Sequence, residues 1–129
     1  MIPAGTFIVS WPARICSVAN MREHWAARAA RAKRERVDAR LRCHQQLDRD
    51  RDRVLHGLND VGLTVTMVRI APRPLDSDNL AAAFKATRDG IADWLGIQDN
   101  DYRVAWLVRG ERGRPGEYAV RVEIAEVPF

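Results

Sequence analysis

The sequence predicts a single α+β domain, 1–129, in which a small mixed β-sheet of about four strands packs with two helices in the order β-α-β-α-β-β. Three observations carry this. The chain has 129 residues and is 47% hydrophobic, which suits one modest core. Two stretches carry apolar residues at helical spacing, and four shorter ones alternate with period two or are rich in β-branched residues. No internal repeat or low-complexity linker separates them, so they belong to one domain.

The first element, Thr6 to Trp11, alternates so that Phe7, Val9 and Trp11 share a face, and Pro12 ends it. Asn20 followed by Glu23 has the shape of a capping box. It opens an alanine-rich helical stretch from about Met21 to His56, before Gly57. At 1.5 Å per residue that stretch would reach ~54 Å, so a bend or break is expected near Cys43 to Leu47, where the apolar stripe thins. Leu63 to Ile70 is the strongest strand of the sequence. A second helix spans about Asp78 to Leu95 and is closed by Gly96. Its positions Leu80, Phe84, Thr87, Ile91, Trp94 and Leu95 fall on one face, which marks that face as core. Val104 to Arg109 and Tyr118 to Ala125 alternate with period two, with Tyr118, Val120, Val122 and Ile124 on one side. The GERGRPG segment between them reads as a hairpin loop.

No apolar run approaches the ~20 residues of a membrane span, and no basic n-region precedes an apolar stretch, so the chain reads as a cytoplasmic protein. Cys16 and Cys43 have no partner spacing for a zinc site and read as free thiols. Of twenty-one basic residues only Lys33 and Lys85 are lysines, leaving nineteen arginines. Arginine's planar fork matches phosphate oxygens. From Pro12 to Arg53 twelve basic residues oppose six acidic ones, a net +6, whereas from Asp76 to Asp101 six aspartates oppose Lys85 and Arg88, a net −4. A basic surface beside a knot of carboxylates is the charge layout of a metal-dependent enzyme acting on nucleic acid. The bland counterpart is a solvated basic helix beside a polar loop.

The chemistry concentrates between Arg73 and Val104. Asp76 and Asp78 flank Ser77 at a strand-to-helix junction, where both carboxylates can reach one cation. Capping accounts for one of them but leaves the second, the adjacent Asn79 and the later pair Asp99 and Asp101 unexplained. On the following helix Asp78, Lys85 and Asp89 form a stripe opposite the core. Their structural reading is a salt-bridged surface. An EF-hand is excluded, because Thr87 stands where a bidentate glutamate is needed. Hard carboxylate donors without histidine select magnesium, or manganese, and such ions serve phosphoryl chemistry. His24, His44 and His56 share no helical face, and Trp25 and Trp94 read as core or interface residues.

The LDSDNL segment, the lysine followed four residues later by aspartate (Lys85, Asp89) and the acidic pair before a strand together resemble the RusA-type Holliday junction resolvases. The resemblance covers Leu63 to Val108, with the arginine-rich helix compatible but less specific. It implies a magnesium-dependent, structure-selective endodeoxyribonuclease of phage or prophage origin. The substrate would be four-way junction DNA, cut by a homodimer without a small-molecule cofactor. By the same resemblance Asp76, Asp78 and an aspartate of the Asp99/Asp101 pair bind the ion, Lys85 assists at the phosphate, and Asn79 and Asp89 support them. Arginines of the first helix and its neighbours (Arg22, Arg28, Arg31, Lys33, Arg34), with Arg73, would contact backbone phosphates. Two departures stand out. Lys85 lies seven residues after the second aspartate where the family has four, a displacement of ~4.5 Å along a helix, and Asn100 splits the usual adjacent acidic pair, so both Asp99 and Asp101 remain candidates. The rival reading is a non-catalytic phage DNA-binding protein that keeps the resolvase fold. An unbroken helix after Asp78 would hold the two acidic groups ~27 Å apart. Either the chain after Gly96 then doubles back, or the groups meet across a dimer; shared sites in a homodimer are the expectation drawn from that length.

Overall fold

The computed structural model describes residues 5–17 and 24–127. In chain order they form β1 (Phe7–Pro12), α1 (Trp25–Leu47), α2 (Arg51–Asp60), β2 (Leu63–Ala71), α3 (Ser77–Ala83), α4 (Lys85–Leu95), β3 (Val104–Arg112) and β4 (Ala119–Glu126). The α+β class, the mixed four-stranded sheet and the element order follow the sequence. Each of the two expected helical stretches, however, is divided in two.

The first divides just beyond the expected place, at a 3₁₀ turn, Asp48–Asp50. The turn lets α1 and α2 bury different stripes, Ala39, Cys43 and Leu47 on one and Val54 and Leu58 on the other. Gly57 does not end a helix; α2 runs through it to Asp60. The Asn20/Glu23 capping box lies outside the described residues. Among these the N-cap of α1 is His24, whose Nδ1 accepts the Ala26 N–H at 3.2 Å. The second stretch divides at Phe84, with φ −92° and ψ 2°, where the backbone N–H is shared between the Leu80 and Ala81 carbonyls at 3.2 and 3.3 Å. Phe84 is fully buried, so the kink is fixed by core packing.

The sheet order is β1-β4-β2-β3, with β2 parallel to β3 and antiparallel to β4, and β1 antiparallel to β4. The GERGRPG segment is therefore not a hairpin loop. β3 extends through Arg112, and the chain then crosses the end of β2, where Gly113 N–H donates to the Ala71 carbonyl at 2.9 Å. The reason lies in β2, whose consecutive Met67 and Val68 are both buried. A strand apolar on both faces gains most from an interior position. Val9, Trp11, Leu63, Val65, Met67, Val120, Val122 and Ile124 form the helix-covered face together with Phe84, Ile91 and Leu95. On the opposite face Val68 stands in register between Arg109 and Arg121. Their carboxylate partners Glu111 and Glu123 complete an ion-pair lattice, and the arginine stems shield the valine. The free edge of β1 is closed by Gln46 of α1, which accepts from Ser10 N–H at 3.1 Å and donates to Ser10 carbonyl at 2.7 Å. Among the described residues no helix is long and apolar enough to cross a membrane.

The closest approach in the fold is between α1 and α4. A Cβ placed on Gly90 would lie 2.1 Å from the Arg36 carbonyl oxygen and 2.9 Å from the Ala39 Cβ, so the two helices touch backbone to backbone. Backbone cannot swing aside as a side-chain end can. Gly90→Ala is therefore expected to cost ~3 kcal/mol and to lower Tm by roughly 10 °C, as overpacking does. A circular-dichroism melt checks it, and an unchanged Tm would mean that the helices are not in contact there.

Candidate active site

Two local sequence features bring the acidic knot together. The kink at Phe84 starts α4 at Lys85, and Gly96 ends it in the left-handed conformation (φ 74°), which the residue lacking a Cβ adopts freely. The chain reverses there, and Ile97 N–H closes the turn on the Ala92 carbonyl at 3.0 Å. Asp99 thereby returns to the start of α4. Lys85 Nζ donates to Asp99 Oδ2 at 2.6 Å and to Asp89 Oδ1 at 2.7 Å. By helical rise Asp78 lies only ~10 Å from Lys85. The reversal brings Asp99 back to Lys85, so the ~27 Å expected from helical rise alone does not hold.

Asp99 is fixed through its backbone as well. Arg88, one turn after Lys85, donates from Nη2 to the Asp99 carbonyl at 2.6 Å, and its guanidinium lies 5.0 Å from the centre of the Trp106 ring on β3. The two aspartates have different partners. Asp101 turns away: its Oδ1 accepts from Arg103 N–H and Nε, and its Oδ2 from Arg103 Nη2 at 2.8 Å. Arg103 Nη1 in turn donates to Asn59 Oδ1 at 2.7 Å. Asp101 thus ties the loop before β3 to α2, while Asp99 faces the lysine.

Asp76 caps α3. Its Oδ1 accepts the Asn79 N–H at 2.9 Å and its Oδ2 the Asn79 side-chain amide at 3.2 Å, which accounts for the neighbouring asparagine. Asp78 is exposed in the first turn of α3 and has no hydrogen-bond or ion-pair partner among the described residues. Arg22 lies outside the described residues. Arg28, Lys33 and Arg34 are exposed on α1, and Arg31 is paired with Glu35. Arg73 is exposed before α3, its carbonyl accepting from Arg69.

The residue that the sequence reading missed is Arg36. Spaced three and seven before Ala39 and Cys43, it belongs to the α1 stripe that meets α4, and it grips Asp93 with Nε at 2.7 Å and Nη2 at 2.8 Å. Arg36, Lys85, Asp89, Asp93, Gln98 and Asp99 line one depression of about 440 Å³. The spacing would have placed Arg36 on the buried stripe, but its partner lies fifty-seven residues away. The electrostatics are mutual. Hydrogen bonds to Asp89 and Asp99 raise the Lys85 pKa, the lysine lowers that of Asp99, Asp93 raises that of Arg36, and Arg36 lowers that of Asp93. All stay charged at neutral pH.

The carboxylate donors are of the kind that hard divalent cations take. Among the described residues no three histidine, cysteine, aspartate or glutamate side chains stand together as a metal-binding group.

No protein-family model matches the chain. An uncharacterized protein of Xylella fastidiosa strain Temecula1 is 30% identical over 113 residues, covering 87% of this chain and 71% of that protein. The chain belongs to that protein's family.

The hydrogen bonds from Arg103 hold the Asp101 carboxyl down to about 2, against an ordinary 3.8. The folded value is the lower one, so this pairing stabilises the fold above about pH 4 and is lost as pH falls toward 2. A carboxylate-carbon NMR titration should show Asp101 titrating near 2 and moving back toward 3.8 in Arg103→Gln; a normal value in the wild type would remove the anchoring role.

Proposed function

We propose that this protein is a magnesium-dependent, structure-selective endodeoxyribonuclease of the RusA type, resolving four-way DNA junctions by phosphodiester hydrolysis. The observation that supports it most is the convergence of Lys85 with Asp99 in one depression with Arg36. Asp76, Asp78 and Asp99 would hold the ion. When bound, it supplies an activated water and neutralises the leaving oxygen.

The chain's own residues do the rest. An ammonium has three N–H donors, and Asp89 and Asp99 use two, leaving one for a phosphate oxygen. Asp93 takes two of the five N–H groups of Arg36, which fixes the guanidinium plane and leaves three for the same phosphate. Donors held in this way stabilise charge as it develops without reorganising. Arginines along α1 bind backbone phosphates and so give affinity without sequence preference. Two identical centres in a homodimer would cut two strands symmetrically. Function in the cytoplasm of a bacterial host, with a phage or prophage source, follows from the same reading. The rival, a DNA-binding protein without catalysis, is favoured by the internal pairing of Lys85 alone.

Cleavage of synthetic four-way junctions with magnesium separates the two. Asp78→Asn and Asp99→Asn should each lower the cleavage rate by at least ~10²-fold while junction binding is kept or tightened, because a negative charge facing phosphate is removed. Asp101→Asn should retain far more activity. Binding without any cleavage by the wild type would favour the rival. Equal losses in the Asp99 and Asp101 variants would refute the assignment of Asp99.

A further inference from the structure

The reading of the Lys85 depression as a phosphodiester site leaves a neighbouring feature unused, and the inference drawn from it rests on that reading. Asp93 is a wall between two depressions. The second, about 370 Å³, is lined on its far side by Arg40 and His44 of α1, Asp48, Arg51 of α2 and Trp94 of α4. Counted with Arg36, which grips Asp93 from the neighbouring depression, three guanidinium groups meet two carboxylates, Asp48 and Asp93, a net +1. Asp93 is already held by two hydrogen bonds from Arg36, and Asp48 accepts from or faces the His44 ring at 3.1 Å. Arg40 is exposed and has no hydrogen-bond or ion-pair partner among the described residues. Arg51 donates from Nε to the Trp94 carbonyl at 3.1 Å, which fixes its guanidinium and leaves both terminal nitrogens without a hydrogen-bond partner among the described residues. Two guanidinium groups in one depression, each with N–H donors that no hydrogen bond among the described residues uses, can take an anion, and their planar donors suit phosphate oxygens best.

We propose that this second depression binds backbone phosphates of the DNA strand as it leaves the Lys85 site. Arg36 and Arg40 stand on successive turns of α1, so their Cα atoms are separated by a rise of ~6 Å. Phosphates on one strand advance 3.4 Å each along the duplex axis, so this step corresponds to about two nucleotides. The kink at Asp48–Asp50 brings Arg51 to the same depression from α2. A strand lying in the α1/α4 groove would thus meet Lys85 and Arg36 first, then Arg40 and Arg51. Its path differs from one along Arg28 and Arg34, which lie on the exposed N-terminal half of α1.

The test measures binding of a synthetic four-way junction in calcium buffer at several salt concentrations. Each phosphate contact contributes ~0.9 to the slope of log K against log salt. Arg40→Ala, which removes no hydrogen bond or ion pair among the described residues, should make the slope shallower by about 0.9, and Arg40→Ala/Arg51→Ala by about 1.8. Arg112→Ala/Arg114→Ala removes the same charge at and just past the far end of β3, ~26 Å along that strand from Val104, and should leave the slope unchanged. Wild-type slopes in the Arg40 variants would overturn the proposal, as would an equal change in the Arg112/Arg114 variant, which would show a general charge effect. A wild-type chain that binds no junction at all overturns the endonuclease reading itself, and this site with it.

Discussion

The arrangement depends on the contact of α1 with α4 at Gly90. A single missing Cβ lets the Arg36 carbonyl approach the opposite helix so closely that no other residue fits. The Arg36 side chain, on the same residue as that carbonyl, then meets Asp93 one turn further along α4, at a distance where both hydrogen bonds form. Close packing and charge pairing therefore hold the same pair of helices in one register. Dispersion and area burial act without direction, whereas a two-bond arginine–carboxylate pair accepts little rotation, and together they define the groove between the helices.

Toward its N-terminus the same helix organises the returning loop. Lys85, Arg88 and Asp89 are spaced three and four residues apart and so face one way. Lys85 takes the Asp99 side chain and Arg88 its backbone carbonyl. A loop held at both places is ordered without a core of its own, and the arginine is steadied against Trp106 on β3. Asp101 and Arg103 tie the next residues to Asn59 on α2. The carboxylates of this region thus differ in their partners. Asp93 and Asp101 are each paired with an arginine, Asp89 and Asp99 share Lys85, and Asp78 has no hydrogen-bond or ion-pair partner among the described residues.

The sheet shows how a basic chain keeps a second face in water. Arg109 and Arg121 are balanced by Glu111 and Glu123, and their stems cover Val68. Because that face is neutralised internally, the excess positive charge of the ordered elements lies on α1, where seven basic residues oppose Glu35 and Asp38. A polyanion, if one binds, would be drawn to that side by long-range attraction.

The sequence by itself determined the elements. Period-two and 3.6-residue patterns act over a few residues, so the strands, the core stripe from Leu80 to Leu95 and the glycine stop at Gly96 were legible, and so were the residues with the chemistry to form a site. The long first stretch was too extended to stay unbroken, and its break came at Asp48–Asp50. Tertiary structure decided what no local pattern encodes. Only the demand of β2 for neighbours on both edges placed β4 beside it and turned an apparent hairpin into a crossover. Only the burial of Phe84 kinked the second helix, since the amphipathic pattern runs through it unchanged. And Arg36 was indistinguishable from its neighbouring arginines until a glycine fifty-four residues later brought its carboxylate within reach. Charge partners distant in sequence are set by packing, because a Coulomb interaction selects by distance in space and leaves no periodicity in the chain.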